Sequence, residues 1–338
     1  MKKSLLVVLI IVLALITMAC SCSFAGLPNL MRGSLSPSGE IVREERDVTG
    51  AITTVEISGD GTLYFTQGET AALIIEGDTN FVNNIETRIV DDTLIIRPKD
   101  QFMWNWFREP EELNYYLTLP MLETFESSGA LDVDLGDITM GDLSLSFSGS
   151  SDLFADFIVA EDLMISGSGS TKVIIGEIEA EEFLGKFSGS ADFEAVAMDA
   201  LAIRFDTSAA FDLQVGQMNA ESEVSIDTSG SADMAIGELY ALDLMLDSSG
   251  SASLLIEEGT VDSQSISMSG SGTYDAADLQ SREAYLDSSG SVEFTLWVMD
   301  YLSIDSSGSC DVNYYGDPEI DQNTSGNTSI NALDNAKE

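Results

Sequence analysis

Apolar and polar residues alternate along most of this chain with the period of two that belongs to β-strands, and the alternating block recurs about every 20 residues. Each block turns on one phrase: apolar, Asp, x, Ser, Gly, Ser. The phrase is clearest at Ile226–Ser231, Leu246–Ser251, Leu286–Ser291 and Ile304–Ser309. Its central residue falls at Gly129, Gly149, Gly169, Gly189, Ala209, Gly230, Gly250, Gly270, Gly290 and Gly308. The step is 20 except for 21 after Ala209 and 18 after Gly290. Counting from that centre, position −4 is apolar in nine of ten blocks, Gly185 being the exception, and position +4 is apolar in all ten, from Val133 to Val312. Position +6 is apolar throughout, and Ile138, Ile158, Ile178, Met198 and Met218 add a further apolar point at +9. Ala160, Ala180, Ala200, Ala220 and Ala241 follow at +11 as a run of small residues, the mark of a tight corner.

Three short strands and three corners in 20 residues describe one coil of a solenoid. The expected fold is all-β: a single-stranded, right-handed parallel β-helix, the hand following from the general preference of parallel crossovers. At ~4.8 Å per coil the marked blocks predict a column roughly 45–50 Å long. No coil can bury its apolar face alone, so stability must come from stacking.

Position −1 is serine in every block: Ser128, Ser148, Ser168, Ser188, Ser208, Ser229, Ser249, Ser269, Ser289 and Ser307. The reading is a structural ladder of hydroxyls, each donating to one neighbour and accepting from the other, with glycine beside them to let the backbone turn. Ten copies and no base to activate them exclude nucleophiles. Two acidic columns flank the ladder. Asp206, Asp227 and Asp247 stand at −3; Asp192, Asp212 and Asp233 stand at +3. Odd offsets point outward, so these carboxylates form either a solvated acidic face or oxygen sites for a divalent cation such as Ca²⁺. The adjacent-glycine pattern of calcium-binding β-rolls is absent.

The flanks differ from the repeat. Residues 1–25 form an export signal: Lys2 and Lys3, then an apolar run from Leu5 to Ala19 that suits a signal peptide and is short for a membrane span. Thr17-Met18-Ala19-Cys20 resembles a lipoprotein signal with Cys20 as the lipidated residue; cleavage after Ala25 and a retained anchor are the other outcomes, and all three export the rest. Residues 26–48 read as a Gly/Pro/Ser-rich and then charged linker. Residues 49–122 read as irregular β-rich opening coils and an N-terminal cap. Within them Trp104, Trp106 and Phe107 are either aromatics folded over the solenoid end or an exposed platform for a sugar or partner. Residues 123–316 are the repeats, and 317–338 a frayed last half-coil with a polar tail.

Composition narrows the function. With 58 acidic and 14 basic residues the net charge is −44, which argues against nucleic acid and anionic headgroups as partners. The chain has no histidine, which removes His-based triads, proton shuttles and metal sites. Residues 123–316 hold only Lys172, Lys186, Arg204 and Arg282 as bases, too few for the proton-abstracting chemistry of polysaccharide-cleaving β-helices. Cys310 reads as a small core residue at +2, and three cysteines in all make no disulfide framework.

Asp47-Val48-Thr49-Gly50-Ala51-Ile52, Thr118-Leu119-Pro120-Met121-Leu122, the repeated Ser-Gly-Ser coils and Tyr314-Tyr315-Gly316-Asp317-Pro318 together resemble a family of bacterial envelope proteins described as putative auto-transporter adhesin, head-GIN domain. The likeness runs over roughly 48–333 and implies a right-handed parallel β-helix at the cell surface or in the periplasm, with no catalytic residues. The chain departs from the pattern in its weak lipid signal, Ala209 and the Trp104/Trp106 insert. The expectation is an exported, membrane-tethered, non-enzymatic β-helix that binds a surface polysaccharide or protein. A structural or assembly module of the envelope is one alternative, and a polysaccharide-acting enzyme the other.

Overall fold

The computed structural model describes residues 37–99 and 113–333. In chain order the N-terminal elements are β1 (Ile41–Arg46), β2 (Thr54–Gln67), β3 (Ala72–Asp78), α1 (Thr79–Asn84), β4 (Ile85–Val90), β5 (Thr93–Pro98) and β6 (Asn114–Leu119). The repeats follow as β7 (Thr124–Asp134), β8 (Asp137–Thr139), β9 (Leu143–Gly167), β10 (Ser170–Phe187), β11 (Ser190–Thr207) and β12 (Ala210–Thr228). After them come β13 (Ser231–Tyr240), β14 (Asp243–Ser248), β15 (Ser251–Met268), β16 (Ser271–Ser288), β17 (Ser291–Ser306), β18 (Ser309–Tyr315), β19 (Glu319–Thr324) and β20 (Asn327–Ala332).

The repeat is a parallel β-solenoid. Val173 lies between Leu153 and Phe193, and Lys172 between Asp152 and Asp192, one coil away on each side. Even offsets point inward as the alternation requires: Phe125, Leu145, Ile165, Phe205 and Ile226 at −4 and the whole +4 column are buried. The glycine gap at −4 is filled by its neighbour, since a Cβ at Gly185 would meet the Phe205 ring 2.7 Å away. Phe205 in turn packs on Phe183 and Phe193 with ring centres 5.2 and 5.1 Å apart. The odd steps are absorbed at corners. The extra residue of the 21-step enters where Ala200 pairs with Ala220 but Ala202 with Glu223. The short step is taken up after Ala276, where the register slips at Gln280↔Trp297.

The central glycines stand in each other's space. A Cβ at Gly149 would land on the carbonyl oxygen of Gly129, and its φ of +126° is one that side chains avoid. Inside this corner, positions −2 and +2 face each other and share one volume. Phe147 is opposite Ser151, Phe187 opposite Ala191, Thr207 opposite Phe211, and Met268 opposite Gly272, where a Cβ would meet the Met268 side chain 2.8 Å away. In these four arches one large side chain fills the space and two would overfill it.

Three segments depart from the expectation. Within the opening coils, expected to be irregular, Ser58-Gly59 is a regular corner of the same column: Gly59 pairs with Gly129 and Ser58 with Ser128, so the column starts one coil earlier and residues 72–119 are an excursion in the chain between these two coils. Ile41–Arg46, expected within a linker, is a strand antiparallel to β3, because its alternating Ile41, Arg43 and Glu45 positions suit a half-covered edge. The last coil is not frayed: β19 pairs in register with β17, and β20 with β18. Its core positions are mixed: Gln322 lies beneath Ile304 and Thr328 beneath Cys310, while Ile320 lies beneath Leu302 and Ile330 beneath Val312.

The excursion covers the N-terminal end. β3 runs antiparallel to β1 and β6, and β4 antiparallel to β5. Asp78 ties it together as the N-cap of α1, accepting from Asn80 N at 2.9 Å and from Ser38 N, Ser38 Oγ and Gly39 N at 2.7 Å each.

Candidate functional site, an open groove along the serine corner

Three successive small residues at each Ser-Gly-Ser corner, flanked at −3 by longer side chains in five of the seven coils, leave a trough that coil stacking extends into a groove. It has a volume of about 940 Å³ and reaches from Ser127 to Ser249, seven consecutive coils. The serines of the ladder rim it. Glu126, Ser146, Ser166, Lys186, Asp206, Asp227 and Asp247 form one wall, and Phe147 and Phe187 lie beneath. Six of the ten predicted ladder serines, Ser148, Ser168, Ser188, Ser208, Ser229 and Ser249, and the predicted column of Asp206, Asp227 and Asp247 therefore come together in the same feature.

The ladder itself is built differently from the expectation. Its serine side chains are exposed, and they do not form a continuous hydroxyl chain. Ser128 Oγ donates to Ser58 Oγ at 3.0 Å, whereas Ser148 Oγ donates to the Ser127 carbonyl at 3.1 Å. Coil spacing of ~4.8 Å exceeds hydrogen-bond reach unless both side chains lean together. The main chain joins the coils instead: the N–H groups of Ser168, Ser188 and Ser208 donate to Phe147, Gly167 and Phe187 carbonyls at 2.9 Å. Most ladder hydroxyls thus stay available to a ligand.

The acidic columns stack but do not converge. Asp227 lies between Asp206 and Asp247, and Asp212 between Asp192 and Asp233. Arg204 bridges Asp206 and Asp227 at 3.3 and 3.5 Å. Among the described residues no group of three or more carboxylate, cysteine or histidine side chains gathers around a point where an ion could sit. In the upper coils of the +3 column, burial and the neighbouring Asp152 carboxylate push the Asp132 carboxyl above its ordinary range.

The row of alanines at +11 floors a second groove of about 910 Å³. Glu161, Glu181, Asp199 and Glu221 line it, with the exposed Leu201 and Leu242. Tyr64 and Tyr116 stack on the outer face of the first coils, centres 5.2 Å apart and planes within 14°, and the Arg43 guanidinium lies 4.9 Å over Tyr116. Stacking consumes most ring faces here and leaves edges and hydroxyls to solvent. Residue order alone could not reveal this pair, because Tyr64 and Tyr116 meet only through the excursion. Trp104, Trp106, Phe107 and Cys20 lie outside the described residues. Cys310 is buried. No helix among the described residues is long and apolar enough to cross a membrane.

No curated protein matches this chain. Solved structures do. A putative adhesin from Parabacteroides distasonis ATCC 8503 is 15% identical over 88% of this chain and 98% of its own, with a TM-score of 0.36. A putative lipid binding protein from the same strain is 20% identical over 89% of this chain and 100% of its own, at a TM-score of 0.40. A putative adhesin from Bacteroides fragilis NCTC 9343 is 16% identical over 89% and 100%, at 0.28. Sequence shows the kinship more firmly. The model of one family matches residues 51–217 and again 204–318, and so takes in the first Gly59 coil, the excursion and the repeats. This chain belongs to the family described as putative auto-transporter adhesin, head GIN domain.

Proposed function

We propose that this protein is an exported, non-enzymatic binding protein, held at the membrane through its N-terminal segment, that grips an extended surface polymer in the serine-lined groove. One observation carries the reading: the groove presents a ladder serine at the same place in six consecutive coils, Ser148 to Ser249, with Asp206, Asp227 and Asp247 stacked along its wall. A site that repeats every ~4.8 Å suits a ligand that also repeats, and rows of hydroxyls and carboxylates suit a polysaccharide rich in hydroxyl groups. Family membership supports adhesion as the purpose. The absence of histidine from the sequence supports binding without turnover.

The test is binding of the purified full chain to a glycan panel and to isolated cell walls, with and without Ca²⁺. Saturable binding to one polymer class is expected. The double substitution Ser188→Leu and Ser208→Leu, which fills the groove from exposed positions, should weaken binding at least tenfold and leave the unfolding transition in place. Loss with chelator would assign the aspartate columns a cation. Binding to no polymer, or binding indifferent to the leucines, would remove the groove from the reading.

A further inference from the structure

The two ends of the described solenoid treat their strand edges differently. An exposed edge invites pairing with another chain, and proteins guard it with charge, proline or a bulge. Among the described residues β1 pairs only with β3, and β4 only with β5. These outer strands are guarded: β1 carries Arg43, Glu44, Glu45 and Arg46, and β4 carries Glu86 and Arg88. At the other end β20, Asn-Thr-Ser-Ile-Asn-Ala, pairs only with β18 among the described residues. It contains no charged residue, no proline and no bulge.

Its open side can be assigned. Asn327 N donates to Gly308 O at 3.0 Å and Leu333 N to Tyr314 O at 2.8 Å, so odd-numbered residues bond inward to β18. The N–H and C=O of Thr328, Ile330 and Ala332 therefore face the free edge. The amide stack is equally unfinished: Asn331 Nδ2 donates to Asn313 Oδ1 at 3.1 Å, and Asn331 also meets Ser329 at 3.2 Å.

We infer that β20 is a pairing edge for a second copy of this chain, joined antiparallel about a two-fold axis through Ile330. Charge selects the occupant's contact. Two molecules of net charge −44 repel over most of their surfaces; of the two outer strands at this end β19 carries Glu319 and Asp321, whereas β20 carries no charge and is where two copies can pair without opposing carboxylates in the paired strands. Register selects the axis. Ile330 opposite Ile330 sets Thr328 against the partner's Ala332, which matches open backbone groups to open backbone groups and makes about six N–H···O bonds. It keeps core-side residues together and brings Ser329 beside the partner's Asn331. Because the N-terminal edges are guarded, the contact is isologous and closes as a dimer instead of growing into a fibre. One short strand pair buries well under ~1,200 Å², so the dimer is transient in solution. Molecules concentrated on a surface would populate it more fully.

Sedimentation equilibrium of the full chain in mild detergent, from about 10 μM to about 1 mM, tests this. The weight-average protein mass should rise from 36.3 kDa towards twice that value, more steeply in 0.5 M than in 0.05 M NaCl as repulsion is screened. Ala332→Pro removes an open-edge N–H that makes no bond to β18, and Ser329→Asp places like charges near the axis. Each should weaken association at least tenfold without moving the unfolding transition. Amide exchange at Thr328, Ile330 and Ala332 should slow with concentration in the unmodified chain. A constant monomer mass at both salt levels overturns the inference. So does association that both variants leave unchanged, or a series that grows beyond the dimer.

Discussion

Tyr274 and Gln264 show how one polar pair is written into an apolar column. Position −6 holds Leu163, Phe183, Ile203, Val224 and Leu244, all buried, and then Gln264, which is equally inaccessible. Tyr274, at +4 of the following strand, donates its hydroxyl to Gln264 Oε1 at 2.6 Å, and burial pushes its phenol pKa well up. The two residues explain each other. Tyr274→Phe should cost about 1–3 kcal/mol by stranding the amide oxygen in the core, and adding Gln264→Leu should recover most of it. Urea unfolding of the single and double variants measures both. A double variant as unstable as the single would show that the pair is not the cause. Repeat position predicts burial here, but it says nothing about the partner, since −6 and +4 touch only across the closed coil. The arch pairs obey the same limit. Phe187 and Ala191 each look ordinary in sequence until the corner folds them face to face.

Among elements, the N-terminal excursion rests on Asp78. Burial opposes its ionisation, but the bonds from Ser38, Asn80 and Gly39 outweigh it and hold the pKa down to about 2, against 3.8 ordinarily. A depressed carboxylate contributes stability that is fully present above the ordinary value and is lost as pH falls towards the folded one. Stability should therefore fall between pH 4 and pH 2 by up to ~2 kcal/mol from this group. Asp78→Asn should cost about 1–2 kcal/mol at neutral pH and remove that portion of the acid sensitivity. Thermal unfolding followed across this pH range checks it, and an Asn variant with the unaltered acid slope would refute the assignment. The excursion was legible as β-rich. Its antiparallel edges and short helix were not, because alternation marks a strand without naming its neighbour.

For the whole molecule, charge is the dominant constraint. The ion pairs that cross coils, such as Arg282 to Asp262 and Asp300 at 3.1 Å, are exposed and each worth little. Stacked carboxylates therefore leave net repulsion, about 1 kcal/mol per adjacent pair in water. Asp132 carries part of it. Its pKa is raised by burial and by Asp152, so its contribution is unfavourable when ionised, and stability falls as pH rises through the raised value. Asp132→Asn should raise Tm at pH 7 and low salt, and its advantage should shrink in mild acid or in 0.5 M NaCl. An Asn variant less stable than the parent at neutral pH would contradict this.

Repetition alone dictated the solenoid, its inward columns, the serine corner and the outward acids, because a period of 20 laid over a period of two leaves each side chain one direction to point. It also placed Asp206, Asp227 and Asp247 on one line. Folding decided the rest: that the small corner residues open a groove, that Gly59 joins a column whose next member lies 70 residues on, and that among the described residues the carboxylates spaced by coils stack in lines and do not gather in threes. Those outcomes depend on distances between residues far apart in the chain, and a local pattern carries no information about distance until the coils are laid on one another.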